Sequence, residues 1–152
     1  MKKLVSAALT LALLLSLAAC GSKEEEPAPF SPADAAALLE SGAFSETLEP
    51  IDADVACALY GIDEATVTDA AVYGSTGTTA EELAIFILAD EEAAQAALTA
   101  LGYRVTDRTA AMASYLPGEV PKLEKALLEQ RGNTVLLVGA SDYDPVNEFL
   151  RK

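Results

Sequence analysis

Acidic side chains are the groups in this sequence that could carry out acid–base chemistry. The chain has 24 Asp and Glu residues and no His, and adjacent acids occur at Glu81-Glu82 and at Asp90-Glu91-Glu92. Glycosidases use two carboxyl groups, one on each side of the scissile bond. Adjacent residues of a strand, however, point to opposite faces, and acids in the first turn of a helix interact with its dipole. We therefore interpret both groups as solvated acids, with a small carboxylate-based hydrolase as the alternative.

Two loop-like segments have the composition of ligand sites. "GSTGTTAEE", residues 74–82, follows a predicted strand but lacks the Lys that a P-loop places after its second glycine, so we interpret it as a hairpin turn. In "SDYDP", residues 141–145, two carboxylates stand two residues apart and could contribute to a divalent-ion site. The EF-hand loop pattern does not follow, and a helix-capping role of Asp144 accounts for the same residues. The sequence therefore predicts no metal-binding or cofactor-binding residue.

Serine and cysteine nucleophiles need a base close to them, and the chain has no His to form the usual triads. Ser114 and Lys122 are too far apart for a Ser-x-x-Lys motif. Cys57, in "DADVACALYG", has no basic residue near it in the sequence. A free cysteine beside apolar residues such as Val55 and Leu59 usually packs as a small hydrophobe. We predict a core position for Cys57, no catalytic residue, and a protein that is not an enzyme.

The first twenty residues have the three parts of an export signal. Lys2 and Lys3 provide the positive start, Leu4 to Leu17 form an apolar stretch shorter than a spanning helix, and small residues precede Cys20. "LAAC", residues 17–20, resembles the bacterial lipobox, the motif at which a precursor is lipidated on the cysteine and cut before it. The resemblance implies that Cys20 becomes the first mature residue and carries diacylglycerol.

Composition then divides the chain. Removal of the predicted signal peptide, residues 1–19, leaves 133 residues, enough for one domain with a core. Residues 20–30 contain "GSKEEEPAP", which is polar and proline-bearing, with three consecutive glutamates that repel one another. We predict a lipidated cysteine and flexible acidic tether over 20–30 and a single globular domain over 31–152. Lipid on Cys20 would hold the domain at the outer, extracytoplasmic face of the cell membrane.

The acidic residues lie mainly in the first part of the mature chain. Without Lys2 and Lys3, eight basic residues oppose 24 acidic ones, so the net charge is −16. From Glu24 to Tyr103 there are 17 acidic residues and no Lys or Arg, whereas from Arg104 to Lys152 there are seven of each sign. Such a charge repels nucleic acid and anionic lipid heads, and it attracts a basic protein face or divalent ions.

We therefore predict a cationic protein or divalent ions as the partner, and no nucleic acid; the alternative is an acidic surface that only keeps the domain soluble. Charge reversal within Asp63, Glu64 and Asp69 would slow association if that region forms the contact. Tyrosines could add large contact areas with polar tips, or they could rim the core. They are Tyr60, Tyr73, Tyr103, Tyr115 and Tyr143.

Periodicity and capping signals predict an α+β fold with the element order α-α-β-β-α-β-β-α. Two hairpins joined by one long helix predict an antiparallel sheet of about four strands with the helices packed on one face. The apolar runs "LAIFIL" and "VLLV" predict central strands, and Gly102 leaves open whether the long helix is continuous. The predicted elements are helices at 32–41 and 53–60, strands "ATVTDAAVYGS" and "ELAIFILA", a helix from Asp90 to about Ser114, a hairpin turning at Arg131-Gly132-Asn133, and the helix "DPVNEFLRK".

The lipobox, the acidic tether, the short helix pair, "DAAVYGSTGTTAEELAIF" and "YLPGEVPKLEKALLEQRGNTVLLV" together resemble a family of lipoproteins from Gram-positive, Firmicutes-type bacteria, domain of unknown function 4358. The resemblance covers roughly residues 31–145, and this chain differs in its arginine-poor, alanine-rich helices. It implies a location and a fold, but no activity and no site residues. The predicted function is a noncatalytic binding module at the cell surface, with the hydrolase or an envelope-assembly accessory role as alternatives.

Overall fold

A computed structural model describes residues 26–152 of the chain. The predicted signal peptide 1–19, Cys20 and the tether up to residue 25 lie outside the described residues. Phe30, the last residue of the predicted tether, is buried. Its N–H donates a hydrogen bond to Thr134 Oγ1 at 2.9 Å, and the Arg131 guanidinium lies 4.4 Å from the centre of its ring. The folded domain therefore begins at Phe30, one residue earlier than predicted.

Five antiparallel strands form one sheet within residues 26–152, in the order β1-β2-β3-β5-β4. The two predicted hairpins are β2 with β3 and β4 with β5. The central strands are β3 and β5, whose residues are all buried except for Ile87, as their apolar sequences predicted. The strands are β1 (Glu49–Ile51), β2 (Val67–Gly74), β3 (Glu82–Leu88), β4 (Leu127–Arg131) and β5 (Thr134–Gly139).

Five α-helices cover this sheet in the same described part of the chain, together with two single turns of 3₁₀-helix at Glu64–Thr66 and Pro117–Glu119. The longest, α3, runs without a break through Gly102 for 25 residues. No helix among residues 26–152 combines the length and the apolar character needed to cross a membrane. The helices are α1 (Pro32–Leu39), α2 (Ala53–Tyr60), α3 (Glu91–Tyr115), α4 (Val120–Glu124) and α5 (Asp144–Leu150).

Local sequence sets the ends of these helices. Ser31 and Asp34 form a capping box at the start of α1, in which the Ser31 N–H donates to Asp34 Oδ2 at 2.7 Å. Asp90 caps α3 by accepting the N–H of Ala93 at 2.8 Å. Gly61 ends α2 with φ of 68°, a left-handed conformation that glycine adopts without a steric penalty. The predicted positions of these three helix ends are confirmed.

Helices lie on both faces of the sheet, so the prediction that they pack on one face was wrong. Alternate residues of β3 point to opposite sides. Phe86 belongs to a core formed with α2 and α3, whereas Leu83 and Ile85 belong to a second core formed with α1 and α5. The physical reason is that a strand with apolar residues at every position has two faces to cover.

The fold class is confirmed as α+β with an antiparallel sheet, but the sheet has five strands instead of about four. The additional strand, β1, is three residues long, contains Pro50 and pairs only with β2 at the sheet edge. Proline lacks the N–H that a ladder needs, so such a segment does not have the sequence signature of a strand. The short helix α4 was also not predicted, because prolines at 117 and 121 favour a turn.

Candidate functional site

Glu82, the first residue of β3, is buried between the sheet and α3. Only 2 % of it is exposed, and its Oε2 accepts hydrogen bonds from the Tyr60 hydroxyl at 2.9 Å and from Arg104 Nε at 3.1 Å. Arg108 Nε lies 3.5 Å from the other oxygen, Oε1. The Arg104 guanidinium also lies 4.3 Å from the centre of the Tyr60 ring, a cation–π contact. This cluster joins α2, α3 and β3 through one carboxylate.

Glu81, the preceding residue, is completely buried on the other face. Its carboxylate accepts hydrogen bonds from the N–H of Ser45 at 3.0 Å and from the hydroxyls of Ser45 and Ser141. Lys122 Nζ lies 3.2 Å from Glu81 Oε1 and 2.9 Å from Glu119 Oε2. Burial alone would raise the pKa of Glu81, but the two serines and Lys122 outweigh it and hold the pKa below its usual value.

The expectation that adjacent acids point to opposite faces is therefore confirmed for Glu81 and Glu82, but the expectation that they are solvated was wrong. Their carboxylates can be buried because Arg104, Arg108 and Lys122, which come later in the chain, supply the opposite charge. The acids at residues 90–92 do behave as predicted, since they occupy the N-cap and first turn of α3. Two carboxylates on opposite faces cannot act on one bond.

These ion pairs explain what the charge asymmetry does in the folded protein. Three of the seven basic residues after Tyr103 bind the two buried glutamates. A fourth, Arg131, binds Glu129 at 2.6 Å within β4. Basic residues from the second part of the chain thus neutralise the buried glutamates of the first part, whereas most other acids of the first part remain at the surface. The surface consequently carries the excess negative charge.

A groove runs along the outer side of α3 where α2 and the following loop lie against it; we call it the α2–α3 groove. It consists of two cavities of about 280 and 270 Å³, and Gly61 lines both of them. Leu59, Gly61 and Asp63 contribute to one wall. The other wall is α3, whose lining residues recur at steps of three and four along the helix. They are Ala93, Ala96, Ala97, Ala100, Tyr103, Arg104 and Asp107.

Large apolar side chains are exposed at this groove. Four such side chains stand out among residues 26–152, and two of them, Leu59 at 48 % and Tyr103 at 70 % exposure, line the groove directly. A third, Val55, precedes Leu59 by one turn on the same side of α2. The fourth, Tyr115, is the last residue of α3 and does not line the groove. Exposed apolar residues that gather around one concave surface indicate a contact site.

The exposure of Val55 and Leu59 corrects the prediction that they share the apolar side of α2 with Cys57. The buried side of this eight-residue helix is formed by Ala56, Cys57 and Tyr60. Cys57 is a free thiol in the core, as predicted, and burial raises its pKa. A short helix against a sheet has only one side to bury, and the two larger aliphatic residues lie outside it.

Exposed acids also line the α2–α3 groove. Asp63 and Asp107 both line it and are exposed. Glu64, which follows Asp63 in the 3₁₀ turn, is also exposed. Arg104 lines the same surface, but its charge is bound to the carboxylate of Glu82 at 3.1 Å. The groove therefore presents apolar contacts together with negative charge.

Asp69 does not belong to this group of acids, although the sequence placed it with Asp63 and Glu64 in one predicted contact. It shares a face of β2 with Ala71 and Tyr73, which pack in the core formed with α1 and α5. Asp63 and Asp69 are six residues apart, and the turn into β2 lies between them. Because of this turn, Asp69 lies on the opposite side of the sheet from the groove.

The two loop motifs stabilise turns. In the 74–82 segment, the hydroxyls of Thr78 and Thr79 donate to the carboxylate of Glu46. In 141–145, Asp142 Oδ1 accepts the N–H of Asp144 at 2.9 Å. Among residues 26–152, no group of three or more His, Cys, Asp or Glu side chains is arranged to hold a metal ion.

The five tyrosines do not form one binding face. Tyr60 is bound to Glu82 in the core, and the Tyr143 hydroxyl donates to the carbonyl oxygen of Lys122 at 2.7 Å. Tyr73 is partly buried beside α1, whereas Tyr103 and Tyr115 are exposed. Of the exposed pair, Tyr103 lies in the groove. Sequence analysis missed this groove, although the stripe of residues at steps of three and four from Ala93 to Asp107 was visible in the sequence as a second face of α3.

Comparison with curated proteins finds no match, and comparison with solved structures finds none either. A protein-family model described as Domain of unknown function (DUF4358) matches residues 40–140. This match spans all five strands, both buried glutamates and the α2–α3 groove, and it leaves out α1 and α5. It covers about two thirds of the chain, and the chain therefore belongs to the DUF4358 family.

Proposed function

We propose that this protein is a noncatalytic binding module, held by lipid on Cys20 at the outer face of a bacterial cell membrane, that binds a basic face of another protein. The observation that carries the proposal is the α2–α3 groove, where exposed Leu59 and Tyr103 stand beside exposed Asp63 and Asp107. Apolar residues provide the area that stabilises a complex, and acids select a cationic partner and speed its approach.

The contacts of the buried carboxylates count against a catalytic role for them. A carboxylic acid that donates a proton near neutral pH needs a raised pKa. The pKa of Glu81 is lowered instead, since serine hydroxyls and Lys122 stabilise the charged form. Glu82 is held by Tyr60 and Arg104 in the other core. These interactions connect structural elements, and they count against the alternative of a carboxylate-based hydrolase.

The amino-terminal sequence supports the anchor. "LAAC", residues 17–20, has the small residues and the cysteine of a lipobox, and the folded domain begins at Phe30. Nine residues separate Cys20 from Phe30, and the ten steps between the two residues span at most about 35 Å when extended. A lipid on Cys20 would therefore keep the domain within a few tens of ångströms of the bilayer. The net charge of −16 expected for the mature chain, residues 20–152, also favours a basic protein over nucleic acid or an anionic lipid surface.

Two experiments test the proposal separately. Cys20→Ser should release the protein from the membrane fraction or leave an uncleaved precursor, because no acyl chains hold it there. Cys20→Ser protein that still fractionates as acylated and processed would contradict the anchor. For binding, a photo-crosslinking amino acid in place of Tyr103 should capture a partner in living bacteria, whereas the same amino acid in place of the exposed Tyr115 should not.

The salt dependence of the captured complex then tests the charge argument. Exposed charges are screened beyond about 8 to 10 Å at physiological ionic strength, so association should slow as salt increases. A partner that presents an acidic or uncharged face and binds equally well at low and high salt would contradict the proposed partner class. The acidic residues would then serve solubility alone.

A further inference from the structure

The shape of the α2–α3 groove suits a helix. The α3 residues that line it extend from Ala93 to Asp107, which is about 21 Å at 1.5 Å per residue. This length equals about four turns of a docked helix. Of the four alanines on α3 that line the groove, Ala96 is exposed, Ala93 and Ala100 are partly buried, and Ala97 is buried in the core. The short side chains of the first three allow another helix axis to approach closely along this side. Leu59 lines one wall and Tyr103 lines the other, and both are exposed, so an apolar residue of the docked helix can pack against them.

The negative charges at the groove favour a helix with basic side chains. Asp63 lies in the cavity nearer the start of α3, and Asp107 lies in the cavity farther along it. A helix in the groove would therefore meet negative charge toward both ends. A second copy of this chain fits poorly, because its own groove would place the same acids opposite these. Lys or Arg residues on the outer edges of the docked helix would fit both ends.

We propose that the α2–α3 groove binds an amphipathic, basic helix of a partner protein, whose apolar side packs between Leu59 and Tyr103 and whose Lys or Arg side chains face Asp63 and Asp107. The inference rests on the proposed binding function and specifies its partner. Helices that lay an apolar side into a groove are a common mode of peptide recognition, with anchor residues at steps of three and four.

A defined peptide pair tests this proposal with the mature chain 20–152 carrying Cys20→Ser. The probe is an 18-residue peptide with Leu on one helical side and Lys on the other; its partner has Glu in place of every Lys. Binding is measured by fluorescence anisotropy at low and physiological salt. The Lys peptide should bind at least about tenfold more tightly than the Glu peptide, because like charges at the groove repel the latter.

Matched variants locate the binding. Leu59→Ser and Tyr103→Ser should each weaken binding of the Lys peptide by about tenfold, as expected for central apolar anchors. Tyr115→Ser should change the affinity by less than about twofold. Asp107→Lys should weaken binding of the Lys peptide by at least about threefold and reduce the salt dependence of that binding. Glu148→Lys, at an exposed position on α5, should change neither the affinity nor its salt dependence. All five positions are exposed or half-exposed, so the variants should fold, and circular dichroism checks this.

Several results would overturn the inference. One is equal binding of the Lys and Glu peptides, and another is binding of the Lys peptide that neither Leu59→Ser nor Tyr103→Ser changes. A third is a dimer in sedimentation experiments that Tyr103→Ser abolishes, because this would assign the groove to a second copy of the chain. In cells, a partner that crosslinks from position 103 and is not displaced by the Lys peptide would overturn the helix inference and leave the proposed binding function intact. Failure to crosslink any partner from position 103 would contradict both.

Discussion

Glu81 and Glu82 are neighbours in the sequence and are both buried, but their carboxylates bind two separate sets of side chains. Ser45, Ser141 and Lys122 bind the first, and Tyr60 with two arginines of α3 binds the second. One dipeptide at the start of β3 thus connects the central strand to helices or loops on both sides. The pair acts as a structural clamp, and its charge never reaches the surface.

The first prediction removes the charge of Glu82. Glu82→Gln leaves Arg104 and Arg108, whose side chains are 12 % and 25 % exposed, next to a neutral group that is itself buried. Breaking a buried ion pair by neutralising one partner costs about 3 to 5 kcal/mol, because the other charge remains buried without compensation. We expect a loss of about 3 kcal/mol in the free energy of unfolding, measured by urea denaturation.

The control for this prediction is Glu148→Gln on α5. Glu148 is exposed, so the same chemical change should alter the free energy of unfolding by less than about 0.5 kcal/mol. If Glu82→Gln lost no more than this control, the two arginines would be reaching solvent, and the clamp would not exist in solution.

The second prediction concerns Phe30, where the folded domain begins. Its ring is buried against the core of α1 and α5 and contacts the Arg131 guanidinium. Phe30→Ala should lower the free energy of unfolding by about 3 kcal/mol, the lower end of the range for buried phenylalanines. Pro27→Ala, three residues earlier and exposed, should have little effect. Equal stability of the two variants would mean that Phe30 belongs to the tether.

The third prediction uses Gly102 in the middle of α3. A Cβ atom added at Gly102 would meet no atom within 4 Å. Alanine in a helix interior is more favourable than glycine by about 0.5 to 1 kcal/mol, because the unfolded chain loses conformational freedom. Gly102→Ala should therefore raise the melting temperature. Gly61→Ala serves as the opposite case, since φ of 68° strains any residue with a Cβ, and it should lower the melting temperature.

Sequence alone could predict the elements whose signals are local. Ser31 with Asp34, Asp90 and Gly61 fix helix ends through their own side chains or backbone, and runs of β-forming residues on either side of glycine-containing turns identified both hairpins. The environment of Glu81 could not be predicted, because its partners Ser45, Lys122 and Ser141 lie 36, 41 and 60 residues away. A carboxylate is solvated or buried according to cations that only the tertiary structure brings near it.

The same limit applies to the α2–α3 groove. Hydrophobicity indicated that Leu59 would be inside, but its exposure depends on where Cys57 and Tyr60 meet the sheet. The charge run from Glu24 to Tyr103 correctly indicated an acidic surface, yet Asp63 and Asp69 fall on different sides of the molecule. Composition predicted the sign of the surface charge, and topology determined which acids share a site.

The last prediction is the pH dependence of stability on the acid side. The pKa of Glu81 is lowered in the folded protein, because the hydrogen bonds of the serines and Lys122 outweigh burial. Hydroxyls of Ser75, Thr79 and Thr78 lower the pKa of Glu46 as well. An unfolded chain has glutamates at about pKa 4.3, so it binds protons at a higher pH than these two folded carboxylates do.

The free energy of unfolding should therefore be fully retained above about pH 5 and should fall as the pH drops through 4 toward the lowered pKa of folded Glu81, because protons then favour the unfolded chain. Urea denaturation at pH 7, 5, 4 and 3 measures this slope. Glu81→Gln should lower stability at pH 7 and flatten the decline below pH 5, since glutamine has no proton to bind, and Glu46 should account for part of the slope that remains. A Glu81→Gln protein that loses stability with acid as steeply as the unaltered protein would show that the carboxylate of Glu81 is not held in its charged form by Ser45, Ser141 and Lys122.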